Sequence, residues 1–424
     1  MAVPTHIRPL HEDHLAHRIA CAVAAEGGRA WMVGGSVRDA LLNRESKDVD
    51  LEVHGLSAVH LEAVLRRVGP VASVGRSFGV FKVGPGEDPI DVALPRPTKA
   101  QVDSTRGAVQ GDPHLGLDVA CRGRDLTLNA IVADPRTGEL RDPTHGRRDL
   151  LAGQLRAADP LRFADDPLRV IRVARFAATH DLEPTPDLIA LCRTIDLSTV
   201  AGERLASETT RALLRSNRPA RFCHILRETG AWDTIWSPCP WSIELEQALD
   251  RAVAFRASVG PAPRDLALML SVALGTATHA VDSVLDRLHI HKRQGFDVRQ
   301  TIQQVLPHAA KLATCSEPAL DTALRTTAEQ VDVAVAVATA ASLTPTFDGA
   351  AARLRAQTLG VLHAPLAPLL FGRDLIRLGV PKGPMLGQLL AQVRMEQLEG
   401  RLSTPESAER RAQMLWTEHA SSRT

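Results

Sequence analysis

One stretch, residues 31–51 with the sequence WMVGGSVRDALLNRESKDVDL, constrains the fold more than any other part of the chain. Its first three residues are apolar and predict a short strand that stops at Gly34 and Gly35, where the backbone can turn tightly and approach a ligand. Ser36 is a favourable N-cap and predicts a helix that runs on through residues 37–42. This order of strand, glycine turn and helix presents backbone N–H groups to a phosphate. The sequence contains no GxxxxGK[ST] pattern, so the turn is not a Walker P-loop.

Two aspartates follow the predicted helix at a spacing that suits a metal site. The segment DVDLEV alternates acidic and apolar residues, which predicts a strand with one buried face. Asp48 and Asp50 then project to the same side, with Cα atoms roughly 7 Å apart, and their carboxylates are suited to Mg²⁺. Two metal ions ~4 Å apart would clamp a hydroxyl and a triphosphate. Arg38, in the first turn of the helix, adds a guanidinium that matches phosphate oxygens.

The motifs GGSVRD and KDVDLEV together resemble the head of the class II tRNA nucleotidyltransferase and bacterial poly(A) polymerase family. The resemblance covers roughly residues 29–215 with specific motifs, and the rest more loosely. It implies an α+β fold, in which a nucleotidyltransferase head with a small mixed β-sheet is followed by an all-helical neck, body and tail. The expected domains are a catalytic head at 1–150, a base-recognition neck at 151–215, a body at 216–345 and a tRNA-binding tail at 346–424.

The reaction that the resemblance implies is nucleotidyl transfer. The 3′-hydroxyl of a tRNA attacks the α-phosphate of CTP or ATP and pyrophosphate leaves, so that C and A are added without a nucleic-acid template. Asp48 and Asp50 would be the catalytic and metal-binding residues with Mg²⁺ as cofactor, while Gly35 and Arg38 would hold the triphosphate. Three alternatives stay open: a poly(A) polymerase, an enzyme that adds only CC or only A, and, from another class, an inactive RNA-binding homologue.

A second motif, RDLTLNA at residues 124–130, resembles the RRDxTxNA motif with which the family contacts the incoming nucleotide. Arg124 matches the second arginine and would bind the nucleotide's phosphate or base. Gly123 stands where the family has its first arginine, and Arg122 lies one position earlier, so one expected contact departs from the pattern.

Two further features precede this motif. Asp91 stands between apolar residues in the segment IDVAL, which predicts a strand. It is either a third carboxylate of the metal site or a surface acid at the strand edge. Residues 95–118 are rich in Pro, Gly and charge without periodicity, which predicts a mobile loop. In the family, the equivalent loop takes part in switching between nucleotides.

The third motif, FADDPLRVIRVARFAA at residues 163–178, is predicted to form one helix. At about 100° per residue its two aspartates, Asp165 and Asp166, share a face with two arginines, and the opposite face is apolar. An exposed face with i,i+4 pairing is the plain alternative. The string also resembles the family's EDPLRxLRxxRFA motif, whose acid and arginine read the incoming base. On this basis the nucleotide-binding residues of the motif are Asp166, Arg169, Arg172 and Arg175.

The remainder of the chain is predicted to be helical. Some relatives carry an HD phosphohydrolase with a His-Asp metal pair, but the comparable segment at 264–275 has no such pair, and no second metal site is predicted. Glu203, Arg204 and Glu208 are expected to brace the base-reading helix. Four basic residues of the tail either touch the tRNA backbone or line solvated helix faces: Arg373, Arg377, Lys382 and Arg394.

Composition limits the partners and the compartment. The net charge is +1, so RNA contacts must come from local basic patches. With nine Phe, five Trp and no Tyr, aromatic stacking is not expected to dominate RNA binding. The six cysteines form no CxxC pair, and neither a signal peptide nor a long apolar run is evident, so a soluble cytoplasmic protein is expected. The expected partners are the tRNA 3′ end, CTP and ATP, without a membrane.

Overall fold

A computed structural model of the chain describes residues 5–44, 48–73, 79–85, 89–97, 111–260, 263–275, 277–312, 317–342, 347–362 and 364–421. These residues form two compact units. The head unit comprises residues up to 200 together with 225–231, and the helical unit comprises 201–224 together with the residues from 232 onward. A mixed sheet in the first and a mostly helical second unit confirm the α+β fold. The finer division into neck, body and tail stays a prediction.

Twenty helices and eleven strands lie within the described part of the chain. The helices are α1 (Leu15–Ala25), α2 (Gly35–Leu41), α3 (Ala58–Val68), α4 (Leu117–Arg122), α5 (Gly146–Leu151), α6 (Leu168–His180), α7 (Pro186–Cys192), α8 (Gly202–Arg215), α9 (Ala220–Glu228), α10 (Trp232–Trp236), α11 (Ile243–Ala252), α12 (Arg264–Leu274), α13 (Val281–Arg287), α14 (Val298–Leu312), α15 (Glu317–Thr327), α16 (Val331–Ala341), α17 (Gly349–Thr358), α18 (Gly372–Arg377), α19 (Pro384–Leu398) and α20 (Pro405–Ser421). The strands are β1 (Arg29–Val33), β2 (Asp50–His54), β3 (Val71–Ser73), β4 (Val80–Val83), β5 (Ile90–Ala93), β6 (Val132–Ala133), β7 (Leu140–Arg141), β8 (Gln154–Leu155), β9 (Glu183–Pro184), β10 (Lys292–Arg293) and β11 (Phe296–Asp297).

The sheet of the head unit has seven strands in the order β3-β4-β5-β2-β1-β6-β7. The strands β2 and β5 are parallel, and the other neighbours are antiparallel. Alternate residues of β1 face opposite sides of the sheet. Ala30 and Met32 join a core built with α1 and α3, whereas Trp31 and Val33 join a second core on the other face. Because both faces are covered, β1 is apolar throughout its buried length.

The strand β2 is buried on one face only. Leu51 and Val53 lie in the same core as α1 and α3. Asp50, Glu52 and His54 therefore project from the opposite face, because side chains alternate along a strand. This alternation places one acid at the start of the strand, a second in its middle and a histidine at its end, all on one side of the sheet.

The glycine turn differs from the prediction in one respect: Ser36 is not the N-cap of α2. The helix begins at Gly35, and its N-cap is Gly34, which has a φ of 73°. A glycine adopts this left-handed backbone without strain, so the turn is complete two residues earlier than predicted. Ser36 is therefore buried inside the helix, and its hydroxyl donates to the carbonyl of Val33 at 3.3 Å.

The helices on either side of this core stretch both begin with a side-chain cap. The helix α1 starts after His14, whose Nδ1 accepts the N–H of Ala16. The helix α3 starts after Ser57, whose hydroxyl accepts the N–H of His60. Both caps satisfy a backbone donor that would otherwise lack a partner within its helix.

The helical unit buries its most apolar helices. The Ala- and Val-rich helix α16 and the helix α12 are both buried along most of their length. Near the end of the chain, α18, α19 and α20 form a small core of their own around Leu375, Leu389 and Val393. Within the described ranges no single helix has the length and hydropathy to cross a bilayer, although one sharply bent pair, Arg264–Leu274 with Thr278–Arg287, does so jointly by length and composition.

Candidate active site

Three aspartates lie close together at the N-terminal end of β2. Asp50 is the first residue of this strand, and Asp48 lies two residues before it. Asp91 stands directly opposite Asp50 on the parallel neighbour β5. Its carboxylate Oδ1 also accepts from Lys82 Nζ, at 2.8 Å, across the β4–β5 pair. A row of Lys82, Asp91 and Asp50 therefore crosses three strands of the sheet.

The electrostatics of this row favour a cation. Although Asp50 remains accessible, packing around its carboxyl group raises its pKa, and the charges of Asp91 and Asp48 raise it further, against the opposing charges of Arg124 and Lys82. A cation bound there would relieve the repulsion among the carboxylates. No group of three or more His, Cys, Asp or Glu side chains is already arranged to coordinate one ion among the residues that the structure describes. Substrate phosphates would therefore have to complete the coordination of a metal held by Asp48 and Asp50.

The residues predicted to contact a triphosphate lie beside this row, but Arg38 already has protein partners. Arg38 is buried, and its Nε and Nη2 both reach Asp39 Oδ1 at 2.9 Å. Its Nη1 donates to Asn129 Oδ1 at 3.0 Å. The guanidinium lies next to Gly35, where a Cβ added to the glycine would meet Arg38 Nη2 at 3.5 Å. Arg38 thus joins the glycine turn to the RDLTLNA motif, and its phosphate contact stays a prediction.

Asp125, the acid of the RDLTLNA motif, is contacted by several residues of the site, a role that no sequence pattern indicates. Asp125 Oδ2 accepts from Arg172 Nε at 2.7 Å, and its Oδ1 accepts from Asn129 Nδ2 at 3.0 Å and from the N–H of Leu126 at 2.8 Å. Burial acts to raise the pKa of Asp125, but the charge of Arg172 and these hydrogen bonds outweigh it and hold the pKa at about 2. Arg172, predicted as a nucleotide contact, is therefore engaged by a buried carboxylate.

Arg124 is held against the free face of β2. Its Nη2 donates to Glu52 Oε2 at 2.9 Å, and the other oxygen of Glu52 lies 3.1 Å from His54 Nε2. Burial acts to raise the pKa of Glu52, but the charges of Arg124 and His54 and their hydrogen bonds lower it overall. The Nε of Arg124 is buried and finds no acceptor among the described residues. The predicted nucleotide-binding arginine therefore retains a donor that a ligand could use.

The third motif is not one continuous helix, so the predicted single charged face is wrong. Residues 163–165 form a 3₁₀ turn, Asp166 is extended with φ −135° and ψ 102°, and α6 begins only at Leu168. The reason is Pro167, because a residue before proline is driven out of the helical region. Asp165 and Asp166 consequently lie outside α6.

Of the two base-reading candidates, Asp166 lies in this break and Arg169 lies in the first turn of α6. Asp166 Oδ1 accepts the N–H of Leu168 at 3.2 Å. Arg169 donates from Nη2 to the carbonyl of Gly123 at 2.6 Å and from Nη1 to that of Arg162 at 2.9 Å. Burial lowers the pKa of Arg169, against the charges of Asp125, Asp166 and Asp165. Arg169 therefore contacts the position where the family's first arginine is replaced by Gly123.

Three arginine side chains surround the ring of Phe176, which lies in α6. The guanidinium carbon of Arg175 lies 3.9 Å from its ring centre, and those of Arg172 and Arg38 lie at 5.3 and 5.4 Å. His180 stacks on the same ring, with centroids 5.5 Å apart. Arg175, predicted as a nucleotide contact, is buried in this cluster. The cluster links α2 to α6 behind the site, a relationship that no local sequence pattern reveals.

The predicted loop at 95–118 can be followed at its ends only, because residues 98–110 lie outside the described part. The N–H of Asp112 donates to the carbonyl of Pro95 at 2.8 Å, which closes the base of the segment. Beyond it, the N–H of Gly55 donates to Pro113 at 2.8 Å, and His54 Nδ1 lies 3.0 Å from the carbonyl oxygen of Leu115. The returning end is thus fastened to the end of β2.

Other candidate residues have protein partners within the helical unit. Glu203 Oε1 lies 2.7 Å from His289 Nδ1, and Glu208 is buried. Of the tail arginines, Arg377 pairs with Glu409, and Arg394 donates to Gln397 Oε1 at 2.8 Å. The expected bracing and tRNA contacts of these residues stay predictions.

Comparison with known proteins agrees with the sequence motifs. Residues 30–156 match a family described as the poly A polymerase head domain. The multifunctional CCA protein of Xylella fastidiosa (strain M23) is 36% identical over 220 residues, which cover 49% of this chain and 50% of the relative. That of Nitrosococcus oceani is 37% identical over 206 residues, 47% of this chain and 48% of the relative. The chain thus spans about half the length of the curated relatives it matches.

Two solved structures share the fold across almost the whole chain. The CCA-adding enzyme of Bacillus stearothermophilus in complex with CTP has a TM-score of 0.65 at 23% identity and covers 95% of this chain and 98% of its own. The Thermotoga maritima CCA-adding enzyme complexed with tRNA_CCA has a TM-score of 0.60 at 20% identity and covers 94% of both chains. The resemblance indicated by the sequence is therefore confirmed: residues 30–156 match the poly A polymerase head domain, and the chain has the fold of these CCA-adding enzymes.

Proposed function

We propose that the protein is a CCA tRNA nucleotidyltransferase, which adds C and A from CTP and ATP to the 3′ end of tRNA without a nucleic-acid template and releases pyrophosphate. The observation that carries the proposal is the position of Asp50 opposite Asp91, with Asp48 before it and Arg124 held on the same face of β2. The matching head domain and the CTP- and tRNA-bound structures with the same fold support it. The cytoplasm, where tRNA is processed, is the proposed site of action.

The cofactor belongs to this proposal. Nucleotidyltransferases of this kind generally use divalent metal ions, and we propose Mg²⁺, held by the carboxylates of Asp48 and Asp50. When bound, it lowers the pKa of the attacking hydroxyl and neutralises charge on the phosphates. Asp91 is the candidate third carboxylate, since it stands beside Asp50 in the strand register.

The remaining residues bind and orient the nucleotide. Arg124 faces the acidic row and keeps its Nε–H available for a phosphate or base oxygen. Gly35 and Arg38, at the start of α2, hold the triphosphate in this proposal. The base-reading residues in the proposal are Asp166 and Arg169, and Arg172 and Arg175 are further nucleotide-binding residues. In the unliganded arrangement Arg172 and Arg175 contribute by holding Asp125 and Phe176, which fixes α6 against the motif that carries Arg124.

The test uses three tRNA transcripts, ending before the CCA, after the first C and after CC. Each is incubated with Mg²⁺ and with CTP, ATP or both, and the products are sequenced. Addition of CCA followed by arrest establishes the proposed activity. Addition of CC only, of A only or of a long A tail identifies one of the alternative enzymes. A lack of incorporation on every transcript would leave the inactive RNA-binding homologue, in which Gly123 replaces a nucleotide-binding arginine.

A further inference from the structure

We propose that Glu52 and His54 are positioning residues for the incoming nucleotide, which keep Arg124 directed at the ligand and away from the metal-binding carboxylates. This inference rests on the proposed function and deepens it. The residues form one chain of contacts that begins at the returning end of the 95–118 segment and ends at Arg124. Each contact in it is made on the face of β2 that carries Asp50.

Both oxygens of the Glu52 carboxylate are used. Oε2 accepts from Arg124 Nη2 at 2.9 Å, and Oε1 lies 3.1 Å from His54 Nε2. The side chains of Glu52 and His54 are only 12% and 13% exposed, so these contacts are shielded from water. A charge-assisted hydrogen bond in such surroundings restrains its donor more strongly than a neutral one. Glu52 therefore fixes the direction of the Arg124 guanidinium.

The ring of His54 is held at both nitrogens. Its Nε2 faces the Glu52 carboxylate, and its Nδ1 lies 3.0 Å from the carbonyl oxygen of Leu115. A carboxylate and a carbonyl oxygen can only accept, so each ring nitrogen of His54 faces a hydrogen-bond acceptor. His54 thereby connects Glu52 to Leu115, on the C-terminal side of the 98–110 segment. This connection prevents the carboxylate from rotating away from Arg124.

The position of Arg124 explains why this restraint matters. Its charge acts on Asp50, whose Cα lies roughly 7 Å from that of Glu52 along the same face of the strand. A guanidinium released from Glu52 could pair with Asp50 or Asp48 and compete with a metal ion for their oxygens. Glu52 supplies an alternative carboxylate and so leaves the other two available. The buried Nε–H of Arg124, which has no acceptor in the described part of the chain, remains for the nucleotide.

The head unit contains a matched control with the same chemistry. On the surface formed by α1 and α3, Glu26 accepts from Arg67 Nη2 at 2.8 Å with one oxygen and lies 3.0 Å from His60 Nε2 with the other. This second Arg–Glu–His set is solvent-exposed, and none of its members belongs to the proposed site. Glu26→Gln therefore removes an equivalent set of contacts without touching nucleotide or metal.

The experiment compares Glu52→Gln, Glu52→Asp, His54→Gln and Glu26→Gln in the full chain. Binding of CTP is measured without tRNA, and KM, kcat and the Mg²⁺ concentration for half-maximal rate are measured with tRNA ending before the CCA. We expect Glu52→Gln to raise KM for CTP and the required Mg²⁺ concentration about tenfold, with kcat within threefold of wild type. Glu52→Asp keeps the charge and restores part of the loss, and His54→Gln has a smaller effect of about threefold. Glu26→Gln leaves all three quantities unchanged.

A second comparison shows whether Glu52 acts through Arg124. In an Arg124→Ala background, Glu52→Gln should cause no further rise in KM, because the side chain it positions is gone. Additive losses in the double variant, or a Glu52→Gln variant with unchanged KM and Mg²⁺ dependence, would overturn the inference. Should Glu52→Gln fail to fold, His54→Gln and Glu52→Asp decide in the same way. A wild-type protein that neither binds CTP nor extends tRNA would contradict the proposed function itself, a result that differs from failure of this inference alone.

Discussion

Asp50 and Asp91 occupy directly opposed positions on two parallel strands, β2 and β5. Adjacent strands lie about 4.8 Å apart, and opposed residues of a parallel pair point to the same face. The two carboxylates are therefore neighbours although 40 residues separate them in sequence. The same row continues to Lys82 on β4, which pairs with Asp91. Asp91 therefore has two neighbours: Lys82 on β4 and, on β2, Asp50, which is a proposed metal ligand.

The first prediction concerns Asp91. As a third carboxylate of the metal site, its replacement in Asp91→Asn should reduce CCA addition roughly 100-fold and raise the Mg²⁺ requirement, because a charge that helps to hold the cation is lost. Lys82→Gln removes only the neighbouring cation and should keep activity within a few-fold of wild type. The two variants are compared by initial rates over a range of Mg²⁺ concentrations. Equal rates for Asp91→Asn and wild type would reduce Asp91 to a surface partner of Lys82.

The second prediction concerns the two acids at the start of β2. Asp48→Asn and Asp50→Asn should each lower the rate of addition at least ~1,000-fold, since each removes an oxygen ligand and a charge from the metal site. The measurement is incorporation of labelled CTP into tRNA that lacks CCA. Asp13→Asn, at a side chain that is 94% exposed in the same unit, is the matched control and should behave as wild type. Full activity of either site variant would exclude the proposed metal site.

The third prediction separates a structural role of Arg172 from nucleotide binding. Asp125→Asn leaves the Arg172 guanidinium without its buried counter-charge and should destabilise the head unit by about 3–5 kcal/mol. Hydrogen exchange in β1 and β6 reports this loss within the head unit. Glu62→Gln breaks an exposed i,i+4 pair with Arg66 and should cost less than about 0.5 kcal/mol. If Asp125→Asn instead raised KM for nucleotide with unchanged exchange, Arg172 would act on the ligand directly.

The fourth prediction follows from His180. Burial and the charges of Arg38, Arg175 and Arg44 lower its pKa from 6.5 to about 3. Below pH 6.5 the unfolded chain therefore binds a proton at His180 that the folded chain does not bind. The stability linked to His180 is complete above pH 6.5 and declines by ~1.4 kcal/mol per pH unit as the pH falls towards 3.

The corresponding measurement is the urea midpoint of the head unit at pH 7.5 and pH 5. His180→Gln should show a smaller loss between these two values than wild type, because it has no proton to take up on unfolding. His60→Gln, at an exposed histidine, should retain the wild-type loss. The comparison uses the difference between the two pH values, because His180→Gln also removes the stack on Phe176 at both. An unchanged pH dependence in His180→Gln would place the acid sensitivity elsewhere.

Local features of the fold could be predicted from the sequence. The strand, glycine turn, helix and second strand of residues 31–51 follow from apolar runs, two glycines and alternation, all of which act within a few residues. The error at Ser36 shifts the start of α2 by two residues, because Gly34 rather than Ser36 is the N-cap. The break before α6 was also readable, since Pro167 disfavours a helical Asp166.

Contacts between distant segments could not be predicted in this way. Glu52 reaches Arg124 across 72 residues, and Arg38 reaches Asn129 across 91. Such pairs depend on which strands become neighbours and on how α6 packs, and neither is encoded in the spacing of the residues involved. Asp125 illustrates the difference: its sequence neighbours identify a motif, but only the fold shows that its carboxylate receives Arg172.

The hydrogen bond from Asp112 to Pro95 has a consequence for how the head can vary. This bond holds Pro95 and Asp112 together, and the residues that follow Asp112 are fastened separately to Gly55 and His54. Lengthening the intervening segment costs only ~0.6 kcal/mol for each doubling of its length, because loop-closure entropy grows slowly. We therefore expect the head to tolerate segments of different length or composition between Pro95 and Asp112. In such variants the strands β2 and β5, which carry Asp50 and Asp91, would keep their register.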